Sequence, residues 1–142
     1  KAQLSFVCSD LSHLSEYAKP IPNPIYRLLK EFLPGPYTFI LPASKLVPKI
    51  LQSKKDTIGL RIPDNNIAQA IIRELGRPIL SASLPGDIVE DYTDPEVMHQ
   101  NFPHEVDFII DGGIGGMVPS TIIDCTGDEP ELVRQGLGEW ES

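Results

Sequence analysis

The 142 residues contain no run of eighteen apolar residues, so no segment has the length and hydrophobicity of a transmembrane helix. The start, Lys1 to Val7, has neither the long apolar stretch nor the small-residue cleavage site of a secretory leader. Cysteine is scarce. Cys8 and Cys125 each sit beside apolar or β-branched neighbours, the setting of buried free thiols in a reducing compartment, and a cytoplasmic location is expected. Three histidines (His13, His99, His104) and no CxxC pair leave little from which to build a zinc site, and no metal ligands are assigned. Basic residues are also few: twelve against twenty acidic ones give a net charge of −8, which speaks against a broad nucleic-acid footprint. A local basic pocket remains compatible with that charge, because ligand phosphates need only a few well-placed donors.

What is present is the composition of an ordinary globular domain, 41% hydrophobic and 23% charged, within the length of one domain. Strand-like and helix-like segments alternate. Leu4–Val7 reads as a strand although the chain starts without Met, so a domain covering 1–142 and lacking residues before Lys1 is expected. Ser9 or Asp10 can cap a helix through Leu11, Leu14 and Tyr17 that Pro20 and Pro22 stop. Asn23-Pro24 opens a second helix with Ile25, Leu28, Leu29 and Phe32 on one face, ended by Pro34-Gly35-Pro36. Tyr37–Leu41 is β-rich, and Val47–Leu51 reads as a short helix. After the strand Thr57–Ile62, Asn65 or Asn66 caps a helix with Ile67, Ala70, Ile71 and Leu75 inward and Gly76 at its left-handed end. Further strands are predicted at 78–84, 106–110, 120–126 and 131–134, with a helix from Asp94 to about Asn101. The pattern predicts one α/β domain with a twisted open mixed sheet and flanking helices.

Strand periodicity locates the candidate chemistry. Along Thr57–Ile62 the apolar face carries Ile58, Leu60 and Ile62, and the other face offers Thr57, Gly59 and Arg61: a hydroxyl, bare backbone and a guanidinium. Ser81 and Ser83 likewise share one face of the following strand. An ordinary solvated strand would show the same alternation, but two hydroxyls beside an arginine-bearing strand suit a carboxylate, phosphate or sugar. The glycine-rich turn from Asp111 to Gly116 is neither a P-loop nor a dinucleotide fingerprint, since no Gly-Lys-Ser/Thr and no helix follow it. It leads instead to Ser120 at the start of a strand. Arg134 lies on the last strand, where it and Arg61 could clamp anions. No Ser-His-Asp spacing is present, and catalytic residues remain unassigned.

Several segments, taken in order, resemble the YrdC/YciO family. Pro34-Gly35-Pro36-Tyr37-Thr38-Phe39-Ile40-Leu41 is similar to its "PGPxTxIL" stretch. Thr57–Pro63 followed by Ile67-Ala68 is similar to "vgvRxPxxxxa". Gly112-Gly113 through Ser120-Thr121-Ile122-Ile123-Asp124 resembles "gGxxxxxxSTvvD", and Val133-Arg134-Gln135-Gly136 the closing "vlRxGxG". The YciO branch is the nearest likeness, with Ser81-Ala82-Ser83 where the family has "SAN" and Leu84-Pro85-Gly86-Asp87 after it. The family's early "PTxTxYG" and "KxR" segments have no counterpart in this chain.

The resemblance implies ATP-dependent formation of threonylcarbamoyl-adenylate from L-threonine, bicarbonate and ATP for tRNA modification, with Mg²⁺ carried by the nucleotide. It implies threonine contacts from Arg61 and Ser120, and nucleotide contacts from Thr57, Ser81, Ser83 and Arg134. Two alternatives stay open, the second of them admitted by Ser83 in place of asparagine and by the Leu84–Asp87 stretch. One is a non-catalytic module for double-stranded RNA or the ribosome; the other is an adenylating enzyme with a different acceptor. No membrane partner is expected.

Overall fold

The alternation of apolar and small polar residues becomes a six-stranded sheet in the computed structural model, which describes residues 4–82 and 120–141. The elements run β1 (Leu4–Val7), α1 (Leu11–Ser15), α2 (Asn23–Phe32), β2 (Tyr37–Pro42), a 3-10 turn (Lys49–Leu51), β3 (Thr57–Arg61), α3 (Asn66–Leu75), β4 (Ile79–Ala82), β5 (Thr121–Asp124) and β6 (Glu131–Arg134). The strand order is β4-β1-β3-β2-β5-β6. β1 and β3 are parallel, as are β2 and β5, and the other neighbours are antiparallel, so the sheet is mixed as predicted. The predicted strand at 106–110, the helix from Asp94, the Leu84–Asp87 stretch, the glycine turn and Ser83 lie outside the described residues.

One face of the sheet is apolar. Phe6, Phe39, Leu41, Leu60 and Ile123 are buried there with Leu14 of α1 and Leu29 of α2, while Ile25, Leu28 and Phe32 pack against this core as the periodicity of α2 requires. Asp10 is the cap of α1, its carboxylate accepting from the His13 N–H at 2.8 Å. Asn65 caps α3 through the Ala68 N–H at 2.9 Å, and Gly76 ends it at φ 74°, a left-handed conformation that glycine adopts without cost. α2 begins one residue earlier than Asn23-Pro24 suggests, with Pro22 in the cap position.

Two expectations are corrected. The helix at Val47–Leu51 shrinks to the 3-10 turn, because Pro48 is extended at ψ 139° and lacks an N–H. On α3 the predicted inward set is exposed: Ile67, Ile71 and Leu75 are surface residues and Ile72 is the buried one. The helix carries two adjacent apolar stripes, and the narrower one, through Ala68 and Ile72, makes the contact. Periodicity shows that an apolar face exists but cannot choose between neighbouring phases.

Candidate functional site

The face of the sheet opposite the core gathers the polar residues through strand register. Residues directly paired across strands point to the same side. Ser5 pairs with both Gly59 and Ser81. Phe39 pairs with Leu60, so one residue further on Thr38 stands beside Arg61. Thr38 in turn pairs with Ile122, and Ile122 with Arg134. Arg61, Thr38, Ile122 and Arg134 thus form a row across four strands, and Ser120 lies on the same side, two residues before Ile122.

Hydrogen bonds lock part of this row. Arg134 donates to the Ser120 carbonyl from Nε at 3.0 Å and from Nη2 at 2.8 Å, and Nη2 reaches Ser120 Oγ at 3.3 Å. Thr38 Oγ1 lies 3.0 Å from Ser120 Oγ. With Thr38 as donor, Ser120 Oγ accepts twice and its own hydrogen is left for an incoming acceptor. A strap from Gln135 to Trp140 secures the end of β6: Tyr37 donates to the Glu139 carbonyl at 2.7 Å, Thr121 Oγ1 to the Gly138 carbonyl, and Gly136 N–H to Thr121 Oγ1 at 3.0 Å.

Arg61 is half-buried, and its Nε, inaccessible to water, has no hydrogen-bond partner among the described residues. Burial, and then the like charge of Arg134, push its pKa below the usual arginine value. Among the described residues the one ion pair is Lys49–Asp56, so neither arginine is neutralised by a described carboxylate. Two guanidinium groups in one row without a described counter-charge, beside a hydroxyl with a hydrogen to give, suit a carboxylate or phosphate.

The sheet unites Arg61, Ser120 and Arg134, and it places the other assigned residues further off on the same face. Thr57 lies four residues from Arg61 on β3, about 13 Å at the usual strand rise, with its hydroxyl 2.7 Å from Ser53 Oγ. Ser81 sits beside Ser5 at the β4 edge, two strands from β3. Sequence reasoning missed Thr38. The available signal was a buried hydroxyl inside an otherwise apolar strand. Gly59 is required by the same crowding: a Cβ there would lie 3.1 Å from Thr38 Cγ2 and 3.3 Å from Ser5 Cβ. Cys8 and Cys125 are free and buried, and burial pushes both thiols up to about 12, so they take no part in this chemistry. No group of three or more His, Cys, Asp or Glu side chains suited to a metal occurs among the described residues.

A family model for Sua5/YciO/YrdC, described as "Telomere recombination", matches residues 1–136. An uncharacterised protein of Haemophilus influenzae is 47% identical over 137 residues, covering 94% of this chain and 66% of that protein. The chain therefore spans slightly less than two thirds of that relative's length. The crystal structure of Escherichia coli YciO superposes with a TM-score of 0.90 at 45% identity, covering 96% of this chain and 67% of that one. Sua5 of Pyrococcus abyssi complexed with L-threonine superposes at 0.80 with 34% identity, covering 94% of this chain and 40% of that one. A threonylcarbamoyl-AMP synthase from the same organism is 36% identical over 131 residues, 90% of this chain and 38% of that protein.

Proposed function

The chain belongs to the Sua5/YciO/YrdC family, and on that premise we propose that it helps form threonylcarbamoyl-adenylate from L-threonine, bicarbonate and ATP, for modification of tRNA. The carrying observation is the pair Arg61 and Arg134, set on one face with Ser120 and left without a described counter-anion. Arg61 and the Ser120 hydroxyl would hold the amino-acid carboxylate. The free edge of Arg134 would meet the nucleotide, and Thr57 and Ser81, further along the same face, would contact its more distant parts. The threonine complex of the P. abyssi relative supports an amino-acid ligand.

In this reaction the threonine amine and bicarbonate condense to a carbamate with loss of water. The carbamate oxygen then attacks the α-phosphorus of ATP, and the bond to the β-phosphate oxygen breaks to release pyrophosphate. The chain's own part is to align the two reactants and to offset their negative charge. Mg²⁺ would enter on the nucleotide's phosphate oxygens, since the described residues provide no carboxylate cluster to hold it alone.

The decisive assay is pyrophosphate release by the full protein with ATP, Mg²⁺, bicarbonate and L-threonine, each omitted in turn. Dependence on both threonine and bicarbonate is the expected result, and release without threonine would identify a different acceptor. Absence of release, together with salt-sensitive binding of duplex RNA, would support the binding-module alternative. One feature favours that alternative: Lys45, Lys49, Lys54 and Lys55 fall within the twelve residues 45–56 with Asp56 the single acid, and Lys19 lines the same cavity as Lys45 and Lys49.

Thr38→Val should weaken threonine binding about fivefold to tenfold, the worth of one hydrogen bond that orients Ser120. Thr38→Ser should restore it. Equal affinity in wild type and the valine variant, measured by calorimetry, would remove Thr38 from the site.

A further inference from the structure

A cavity of about 550 Å³ opens where the parallel strands β1 and β3 end, between the turn into α1 and the start of α3. Crevices at the carboxyl ends of parallel strands are where open α/β sheets take their ligands. This one is separate from the arginine row. Ile62, one of its walls, follows Arg61 and so turns to the other, helix-bearing face, where it is buried with Leu33.

Charges of both signs line the cavity without meeting. Asp10, Asp64 and Arg73 all belong to its wall, yet Lys49–Asp56 is the one ion pair among the described residues. Asp10 gives one carboxylate oxygen to the His13 N–H at 2.8 Å and keeps the other. Gln69, also in the wall, donates through Nε2 to the Pro63 carbonyl at 2.9 Å, and its Oε1 is left a buried acceptor with no partner among the described residues. The wall thus offers a guanidinium for an anion, and carboxylates for a cation. Leu11, Leu33 and Ile62 add an aliphatic patch. One small molecule carries an anion, an ammonium and an apolar group together: a free α-amino acid with an aliphatic side chain. A single peptide terminus brings only one of the two charges.

We propose that this cavity is a second amino-acid site, with Arg73 on the ligand's carboxylate and Asp10 and Asp64 around its ammonium. Its volume is that of a small-ligand site. Occupancy ties the turn into α1 to the first turns of α3, the two segments that leave β1 and β3. The site stands independently of the product formed at the arginine row.

The test is calorimetric titration of the full protein with L-leucine, isocaproate and isoamylamine; the last two keep the side chain but lack the ammonium or the carboxylate. Leucine should bind, and each analogue roughly tenfold more weakly. Arg73→Gln and Asp64→Asn, both at exposed positions, should each weaken leucine about tenfold, the worth of one charge-assisted hydrogen bond. Arg61→Ala should leave leucine binding unchanged. Absence of leucine binding, or equal affinity in wild type and Arg73→Gln, would overturn the site. Isoamylamine bound as tightly as leucine would reduce it to a cation site and overturn the amino-acid assignment. Loss of leucine binding in Arg61→Ala would put leucine at the arginine row and remove the second site.

Discussion

Replacing Arg61 with alanine is expected to weaken L-threonine binding 10- to 100-fold without lowering the unfolding temperature. The first effect follows from loss of a charge-assisted, bidentate contact to a carboxylate, worth about 1.5–3 kcal/mol. The second follows from the free protein's electrostatics. Arg61 is partly desolvated, its Nε lacks a described partner, and Arg134 is a like charge that lowers its pKa further. Its removal therefore relieves unfavourable interactions in the unliganded fold. An arginine whose role was structural would show the opposite pair of outcomes: threonine affinity kept and thermal stability reduced. Arg61→Lys should lie between wild type and alanine for threonine, because the charge stays and the planar fork is lost. Titration calorimetry and thermal unfolding of the same three proteins decide it.

Gly138→Ala is expected to cost about 3 kcal/mol and to lower the unfolding temperature by roughly 10 °C. A Cβ at this position would collide with Cζ of the Tyr37 ring and lie 2.5 Å from its Cε1. The ring cannot retreat easily. It is buried, it packs 4.9 Å from Phe32, and its hydroxyl is tied to the Glu139 carbonyl. Either the ring shifts into the core or the strap after β6 lifts away. The second course also releases Thr121 from the Gly138 carbonyl and loosens the chain beside Arg134, so ligand binding should fall along with stability. Gly76→Ala is the comparison. At φ 74° with nothing within 4 Å of the added methyl, it is strained by backbone conformation alone and should cost about 1 kcal/mol with no effect on binding. Equal losses from the two substitutions would show that the contact with Tyr37 is soft.

Particular residues mark how far the sequence could be read. The two-residue period of Thr57–Arg61 placed Thr57, Gly59 and Arg61 on one face, and the structure keeps them there, since side-chain alternation is a local property of any extended backbone. Caps were legible for the same reason: Asp10, Asn65 and Gly76 act within a few residues of themselves. Motif order further identified the family that the comparisons establish. The α3 face was misread because two apolar stripes share one helix and the packing partner chooses between them.

Adjacency was not legible. Thr38 meets Ser120 across 82 residues through the parallel β2–β5 pairing, and Gly138 meets the Tyr37 ring across a comparable separation. The amino-acid order by itself determined element types, strand faces, helix ends and family membership, all of them set by local backbone preference or by motif succession. The tertiary structure alone decided that Arg61 and Arg134 lie in one row across the sheet without a described counter-charge, and that Thr38 meets Ser120. Those depend on which strands pair and in what register, a choice made by burial of the whole apolar face rather than by any one segment.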